Sequence, residues 1–364
     1  MNALAEPVDH AGPGRLDFAL DPAHEAHEPP EARGLPRDGV RLLVSRGDAE
    51  PVDSTFRELA RFLGPGDVLV VNTSATIPAA LDGRLPDGQP IVVHLSGTLP
   101  GEVWLVEARM PDGGSTSPLG LEGPVDVELL GDGTARLLAP FAGSRRLWLA
   151  RLEVPGPVLD HACEHGRPIR YRHVPDDWPL RHYQTVFARE PGSAEMPSAS
   201  RPFSHELVTD LIGMGVAIAP LLLHTGVSSL EGAERPYPER YRVPGATASA
   251  VNALRAAGGR VVAAGTTVVR ALATVTDEHG VVHPGRGWTD VVVTPETPVP
   301  SVDGLLTGWH EPESSHLQML EAFAGHEALS SAYRAALDLG YLWHEFGDSH
   351  LILRDVRDGR LRSS

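Results

Sequence analysis

Gly259-Arg260-Val261-Val262-Ala263-Ala264-Gly265-Thr266-Thr267-Val268-Val269-Arg270-Ala271-Leu272 begins with a β-branched and alanine run. Such a run fills a strand buried on both faces. It turns at Gly265-Thr266-Thr267 and continues with helical spacing. A glycine at a strand-to-helix turn lets backbone approach a ligand closely. The N–H groups of a first helical turn have no intrahelical partners. Gly265, Thr266 and Thr267 therefore suit an anion or a polar nucleoside edge, and Arg270, one turn on, has the fork to hold a carboxylate. The bland alternatives are a turn kept for packing and an arginine paired with an acid of a neighbouring helix.

Working outward, 364 residues with 41% hydrophobic content leave room for two domains or one domain with an insertion. Gly (38) and Pro (33) imply many turns without a repeating period. One cysteine, Cys163, excludes an internal disulfide framework and a Cys-rich metal site, which fits a cytoplasmic location. No basic start followed by an apolar run suggests a signal peptide, and no apolar stretch reaches the roughly 18 residues of a bilayer span, so no membrane partner is expected. The net charge of −17 and the lack of a basic run before residue 354 argue against a large polyanionic partner, though a local basic patch remains compatible with them.

Hydrophobic patterning divides the chain. Residues 1–38 read as an irregular arm, 40–44 as a strand, 54–63 as a helix capped by Asp53 or Ser54, and 68–71 as a buried strand ending at Asn72. From 77 to 152, short alternating runs at 91–95, 103–107, 125–130, 135–138 and 147–154 are separated by Gly, Pro and Asp turns, the spacing of a small antiparallel barrel or sandwich. Helix and strand alternation then resumes: helices at 157–165, 204–214 (N-cap Ser204), 247–257, 315–324 and 327–339, and strands at 216–223, 289–293, 340–343 and 350–353. The expected fold is a large α/β domain, residues 1–76 and 153–364, interrupted by a small antiparallel β-barrel domain, residues 77–152.

The motifs, in order, resemble the S-adenosylmethionine:tRNA ribosyltransferase-isomerase (QueA) family. The likeness rests on Pro65-Gly66-Asp67-Val68-Leu69-Val70-Val71-Asn72, Ile77-Pro78-Ala79 and Tyr183-Gln184-Thr185-Val186-Phe187-Ala188-Arg189-Glu190-Pro191-Gly192-Ser193. It continues through the Gly265–Leu272 segment, Gly287-Trp288-Thr289-Asp290, Val302-Asp303-Gly304-Leu305, Phe323-Ala324-Gly325 and Phe346-Gly347-Asp348. The resemblance implies the same two-domain architecture. It also implies transfer and isomerisation of the ribosyl moiety of S-adenosylmethionine onto a 7-deazaguanine base in tRNA, with release of adenine and methionine, and no metal. S-adenosylmethionine is then substrate rather than cofactor.

Several positions depart from the family pattern. Asn72-Thr73-Ser74-Ala75 and Ile77-Pro78-Ala79-Ala80 lack an acid and two arginines, Pro202 stands for a histidine, and Glu313 stands for a lysine. These losses suggest an alternative, a diverged paralogue with a small-molecule acceptor or a lyase activity. A non-catalytic protein binding S-adenosylmethionine or a nucleoside is the other.

Removal of the acidified proton beside a sulfonium needs a base with a pKa near working pH, which favours histidine. His224, at the end of the 216–223 strand, and His310 are the candidates, with Glu239 as a second acid or base. With the resemblance, Gly265, Thr266, Thr267 and Arg270 would bind S-adenosylmethionine, and Asp348 would accept from a ribose hydroxyl or the ammonium. Against these stand a backbone-bonded strand-end histidine, a solvated Glu239 and a turn-forming Asp348. Trp309 and Trp343 could stack on adenine but suit a core better. His283, His316 and His350 read as surface or core residues.

Overall fold

The computed structural model describes residues 16, 18–112, 115–141, 144, 146–227, 237–312, 314 and 316–354. The Val261–Ala264 strand lies in a nine-stranded mixed sheet, and its residues are buried on both faces as their apolar run requires. Val261 and Ala263 enter one core with Val68, Val70, Leu221 and Leu305. Val262 and Ala264 enter a second core, across the sheet, with Leu69, Val71 and Leu306.

Four adjacent strands, Ala217–Leu223, Val68–Asn72, Val261–Ala264 and Gly304–Gly308, run parallel. Their carboxyl ends therefore share one edge, and each releases its chain into a loop there. Beyond Ala217–Leu223 the sheet continues through Glu239–Val243 to Gly285–Thr289, both antiparallel to their neighbours. On the other side it continues through Ser349–Leu353 and Arg41–Arg46 to Val52–Thr55.

The second sheet closes on itself. Ala80–Arg84, Pro90–Leu99, Val103–Asp112, Leu147–Glu153, Gly133–Pro140 and Val125–Leu129 pair in that cyclic order, each antiparallel to the next. The result is a six-stranded barrel filled by alternate residues such as Leu81, Val93, Val106, Val127, Ala135 and Ala150. Closure removes the edges that short strands would otherwise leave open. The fold is thus α/β with an antiparallel barrel, as the turn spacing predicted. The barrel also draws on later chain: Gly166–Arg167 pairs with Ala80–Arg84, and Ala162 of the Val158–His165 helix enters its core.

Three local expectations fail. Residues 54–63 are an edge strand, Val52–Thr55, followed by a 3-10 helix, Phe56–Arg61. A capping box between Thr55 and Glu58 starts it, so neither Asp53 nor Ser54 is the cap. Phe56 and Leu59, three apart, are the buried residues, a spacing that the tighter helix places on one side. The strand expected at 289–293 is Gly285–Thr289 instead; its glycines masked it in the sequence. A Cβ on Gly285 would lie 2.8 Å from Val275 Cγ1, so the strand needs glycine there. Residues 340–343 form no strand: Trp343 makes one isolated bridge to Glu25, and Leu342 N–H is held by the Asp348 carboxylate. The described part of the arm lies over other structure, with Leu16 buried in one core of the sheet, Ala26 buried beside Val174 and Phe346, and His24 O accepting from Trp343 N–H. Among the described residues no helix is long and apolar enough to cross a membrane.

Candidate active site at the carboxyl edge of the sheet

The parallel strands bring the sequence-predicted residues to one edge. His224 follows Ala217–Leu223, Asn72 ends Val68–Asn72, Gly265-Thr266-Thr267 follow Val261–Ala264, and His310 follows Gly304–Gly308 by two residues. Neighbouring strands are about 4.8 Å apart, so the span from the His224 strand to the His310 strand is about 15 Å. Ligands of open α/β sheets bind in such a crevice.

The Thr266–Val275 helix starts at Gly265, whose φ of 107° is strained for any residue with a Cβ. Thr266 and Thr267 are half-buried in its first turn. Thr267 Oγ1 lies 3.4 Å from Asn72 Nδ2. Asn72 joins three segments: its Nδ2 donates to Leu223 O at 2.7 Å, and its Oδ1 accepts from Leu223 N–H at 3.0 Å and Ser74 N–H at 3.1 Å.

His224 is held by a chain of hydroxyls. Its Nδ1 is 2.8 Å from Ser74 Oγ, and Ser74 Oγ is 2.6 Å from Ser193 Oγ. Ser193 Oγ accepts from Thr225 N–H at 2.9 Å and donates toward Thr225 Oγ1 at 3.4 Å. In that polarity Ser74 donates to Ser193 and accepts from His224 Nδ1–H, which leaves a lone pair on Nε2. Nε2 is 3.9 Å from Glu190 Oε1, too far for a hydrogen bond. Burial pushes the His224 pKa down to about 4; the Glu190 carboxylate opposes this, while Arg240 and Arg242 add to it. The ring is therefore neutral at physiological pH with an Nε2 lone pair, and at about 4 it is a weaker base than the near-neutral pKa that favours histidine for this step.

Gly192 lies under the His224 ring. A Cβ there would come within 2.6 Å of Cε1 and Nδ1 and 2.9 Å of Cγ. Both the ring and the Glu190–Ser193 strand are held by hydrogen bonds, so neither yields easily. Gly192→Ala is expected to displace the ring, break the Ser74 bond and lower kcat/KM at least tenfold, an estimate of about 1.4 kcal/mol or more for one misplaced catalytic group. Steady-state kinetics, with circular dichroism to verify folding, checks it; a variant of wild-type activity would remove His224 from the chemistry.

His224 and Gly192 line a cleft between the barrel and the sheet, with Ser96 and Thr98 on the barrel side and Glu239 and Arg240 on the other. Glu239 is neither in a loop nor solvated. It begins the Glu239–Val243 strand, accepts from Gly226 N–H at 2.9 Å and pairs with Arg270 Nη1. The rest of the Arg270 fork donates to Val291 O and Thr289 O. Arg270 is thus paired within the protein, with an acid from a strand rather than a helix. Its contacts tie the loop after His224 to the Thr266–Val275 helix and do not offer the fork to a substrate carboxylate.

His310 stacks on His316 with ring centroids 4.6 Å apart, and its Nε2 is 3.1 Å from Thr307 Oγ1. Burial, then the neighbouring His316, His344 and His350, push its pKa well down. Burial, then Arg270, lowers His316 to about 4. Asp348 stands apart: its oxygens accept from Arg41 N–H at 2.7 Å and Leu342 N–H at 2.8 Å, the contacts of a turn-forming residue rather than a substrate acceptor. Trp309 and Trp343 pack with Tyr333 in the core, His350 stacks on Trp309, and His283 is exposed beside Asp277. Of the departures, Ala75 lies in the short Ser74–Thr76 strand, Ala80 and Pro202 are buried, and Glu313 lies outside the described residues.

Sequence reasoning missed Ser74, Ser193, Gly192 and Asn72 as site residues, although all four stand within or beside the motifs quoted above. It also left His316 unassigned.

The chain as a whole has known counterparts. The family described as queuosine biosynthesis protein matches residues 14–352. The chain belongs to that family. A relative from Moorella thermoacetica, named S-adenosylmethionine:tRNA ribosyltransferase-isomerase, is 39% identical over 93% of this chain and 98% of its own. One of the same name from Thermus thermophilus is 36% identical, covering 91% and 99%. The crystal structure of S-adenosylmethionine tRNA ribosyltransferase from Thermotoga maritima superposes with a TM-score of 0.52 at 28% identity, covering 93% of this chain and 99% of that one.

Proposed function

We propose that this family member is an S-adenosylmethionine:tRNA ribosyltransferase-isomerase. It would transfer and isomerise the ribosyl moiety of S-adenosylmethionine onto a 7-deazaguanine base in tRNA and release adenine and methionine. The observation that carries the reading is the carboxyl edge itself, where a neutral His224 held through Ser74 and Ser193 lines a cleft, and Gly265-Thr266-Thr267 follow a strand two places along the same sheet. In this reading His224 Nε2 takes the acidified proton from the carbon beside sulfur. A ring that binds a proton so weakly passes it on readily to the departing adenine. The first-turn N–H groups at Thr266 and Thr267 meet the donor. His310, stacked on His316, borders the same edge. Glu239 and Arg270 act by holding the Gly226 loop in place. The barrel, residues 77–152, would act as a separate unit forming the opposite wall.

A small-molecule acceptor or lyase reading is not favoured, because the relatives over nearly the full length are named for the tRNA reaction. The test is to incubate the protein with S-adenosylmethionine and tRNA bearing 7-aminomethyl-7-deazaguanine, digest the tRNA and separate its nucleosides. A heavier deazaguanine nucleoside carrying the ribosyl-derived group is expected. Unchanged tRNA, with the protein folded, would defeat the proposal.

A further inference from the structure

The two antiparallel strands at the cleft edge of the large sheet, Glu239–Val243 and Gly285–Thr289, carry an unusual outer face. Tyr241 and Val243 point into the core, so alternation sends Arg240 and Arg242 outward, and both are exposed. The pairing sets Arg240 opposite Trp288 and Arg242 opposite Arg286. Residues directly opposite in an antiparallel pair share a face. That face therefore bears Arg240, Arg242, Arg286 and Trp288, in a chain of net charge −17.

Like charges directly opposite are destabilising, which makes Arg242 against Arg286 an unfavourable pair for the protein alone. Only half of it is relieved. Arg242 pairs with Glu190 at 2.6 Å, whereas Arg240 and Arg286 have no carboxylate partner among the described residues. Trp288 shows where the face leads. It is 40% exposed, and its Nε1 donates to Thr98 O of the barrel at 2.7 Å, so the face ends at the mouth of the His224 cleft. Arg240 itself lines that cleft. Arg189, exposed and next to Glu190, adds a further cation, and Asp290, following Thr289, adds an exposed acid at the cleft end.

We propose that this face is where the sugar-phosphate backbone of the RNA substrate docks, with Arg240 and Arg286 contacting phosphates beside the nucleotide that enters the cleft. The inference rests on the proposed tRNA reaction and deepens it. Charge complementarity favours a polyanion: an anion over Arg242 and Arg286 removes their repulsion, and guanidinium forks match phosphate oxygens. A basic face with one exposed indole beside a cleft suits a strand that lays down its backbone and turns one base inward. It also locates the local cationic surface that an otherwise acidic protein needs in order to hold RNA.

The test is the salt dependence of tRNA binding by the full chain, for wild type and for Arg286→Gln, Arg240→Gln and the double variant, with Arg61→Gln as a remote control. Each lost phosphate contact should flatten the slope of log K against log salt by roughly 0.7–0.9. The double variant is expected to lose roughly 1.5 in slope and to bind at least tenfold more weakly at low salt, while Arg61→Gln matches wild type. S-adenosylmethionine binding by Arg286→Gln should be unchanged, which separates docking from misfolding. Wild-type slope and affinity in the double variant would overturn the docking face and leave the proposed reaction standing. Absence of salt-dependent tRNA binding by the wild type would overturn both.

Discussion

His224→Gln is expected to lower kcat/KM by about 10²–10⁴-fold, the usual contribution of a general base, while the protein stays folded and still binds S-adenosylmethionine. Glutamine keeps a polar group near Ser74 but cannot take a proton. The pH profile gives a second reading. Burial holds the His224 pKa at about 4, so the base is already deprotonated throughout the neutral range. The wild-type rate should therefore show no inflection from His224 between pH 6 and 8. An acid limb centred near 6.5 that vanishes in His224→Gln would mean a solvated histidine and would contradict the buried geometry. Retention of more than a tenth of wild-type activity by the variant would remove His224 as the base.

The second large effect is on stability. Four histidines have pKa values held near 3 or 4: His94 and His350 about 3, and His224 and His316 about 4, with burial the leading cause in each. In the unfolded chain each titrates near 6.5. Protons that the unfolded state binds and the folded state refuses favour unfolding, so this stability is present above about pH 6.5 and is lost as pH falls toward 4 and 3. Between pH 7 and 5 each site costs about 2 kcal/mol, or about 8 kcal/mol for the four, a large share of an ordinary stability of about 5–15 kcal/mol. For a chain of this size Tm should drop by roughly 10 °C. Asp348 has the opposite sign, since burial raises its pKa, and it offsets a small part. Calorimetry at pH 7, 6 and 5 measures the slope, and His94→Gln should reduce it by about a quarter. A Tm constant over that range would show that these rings accept protons in the folded state.

The fold was legible wherever burial sets a period. The Val261–Ala264 run, the 216–223 strand and the alternating barrel strands all declare themselves by which side chains must leave water. What stayed hidden was set by glycine or by distant partners. The Gly285–Thr289 strand is masked in the sequence because Gly285 responds to crowding from Val275 and Tyr241, which only the folded chain brings near. The Phe56–Arg61 helix differs from an α-helix by one hydrogen-bond step, which apolar spacing barely distinguishes.

The site followed the same division. His224 and Gly265-Thr266-Thr267 sit at strand ends, and strand ends can be read from a sequence. Ser74 and Ser193, 119 residues apart, meet through the parallel pairing of Ser74–Thr76 with Glu190–Ser193. Nothing local in either segment announces that pairing. Arg270 was read as facing a ligand because its partner, Glu239, lies 31 residues away on a strand with no helical spacing to it.

The central claim is that this cleft turns over S-adenosylmethionine for a tRNA acceptor. The most direct measurement is chromatographic assay of adenine and methionine from purified protein and S-adenosylmethionine, with and without tRNA carrying the deazaguanine base. Release of both, in equal amounts and only when that tRNA is present, is the predicted result. Release without tRNA, or none with it, would contradict the account.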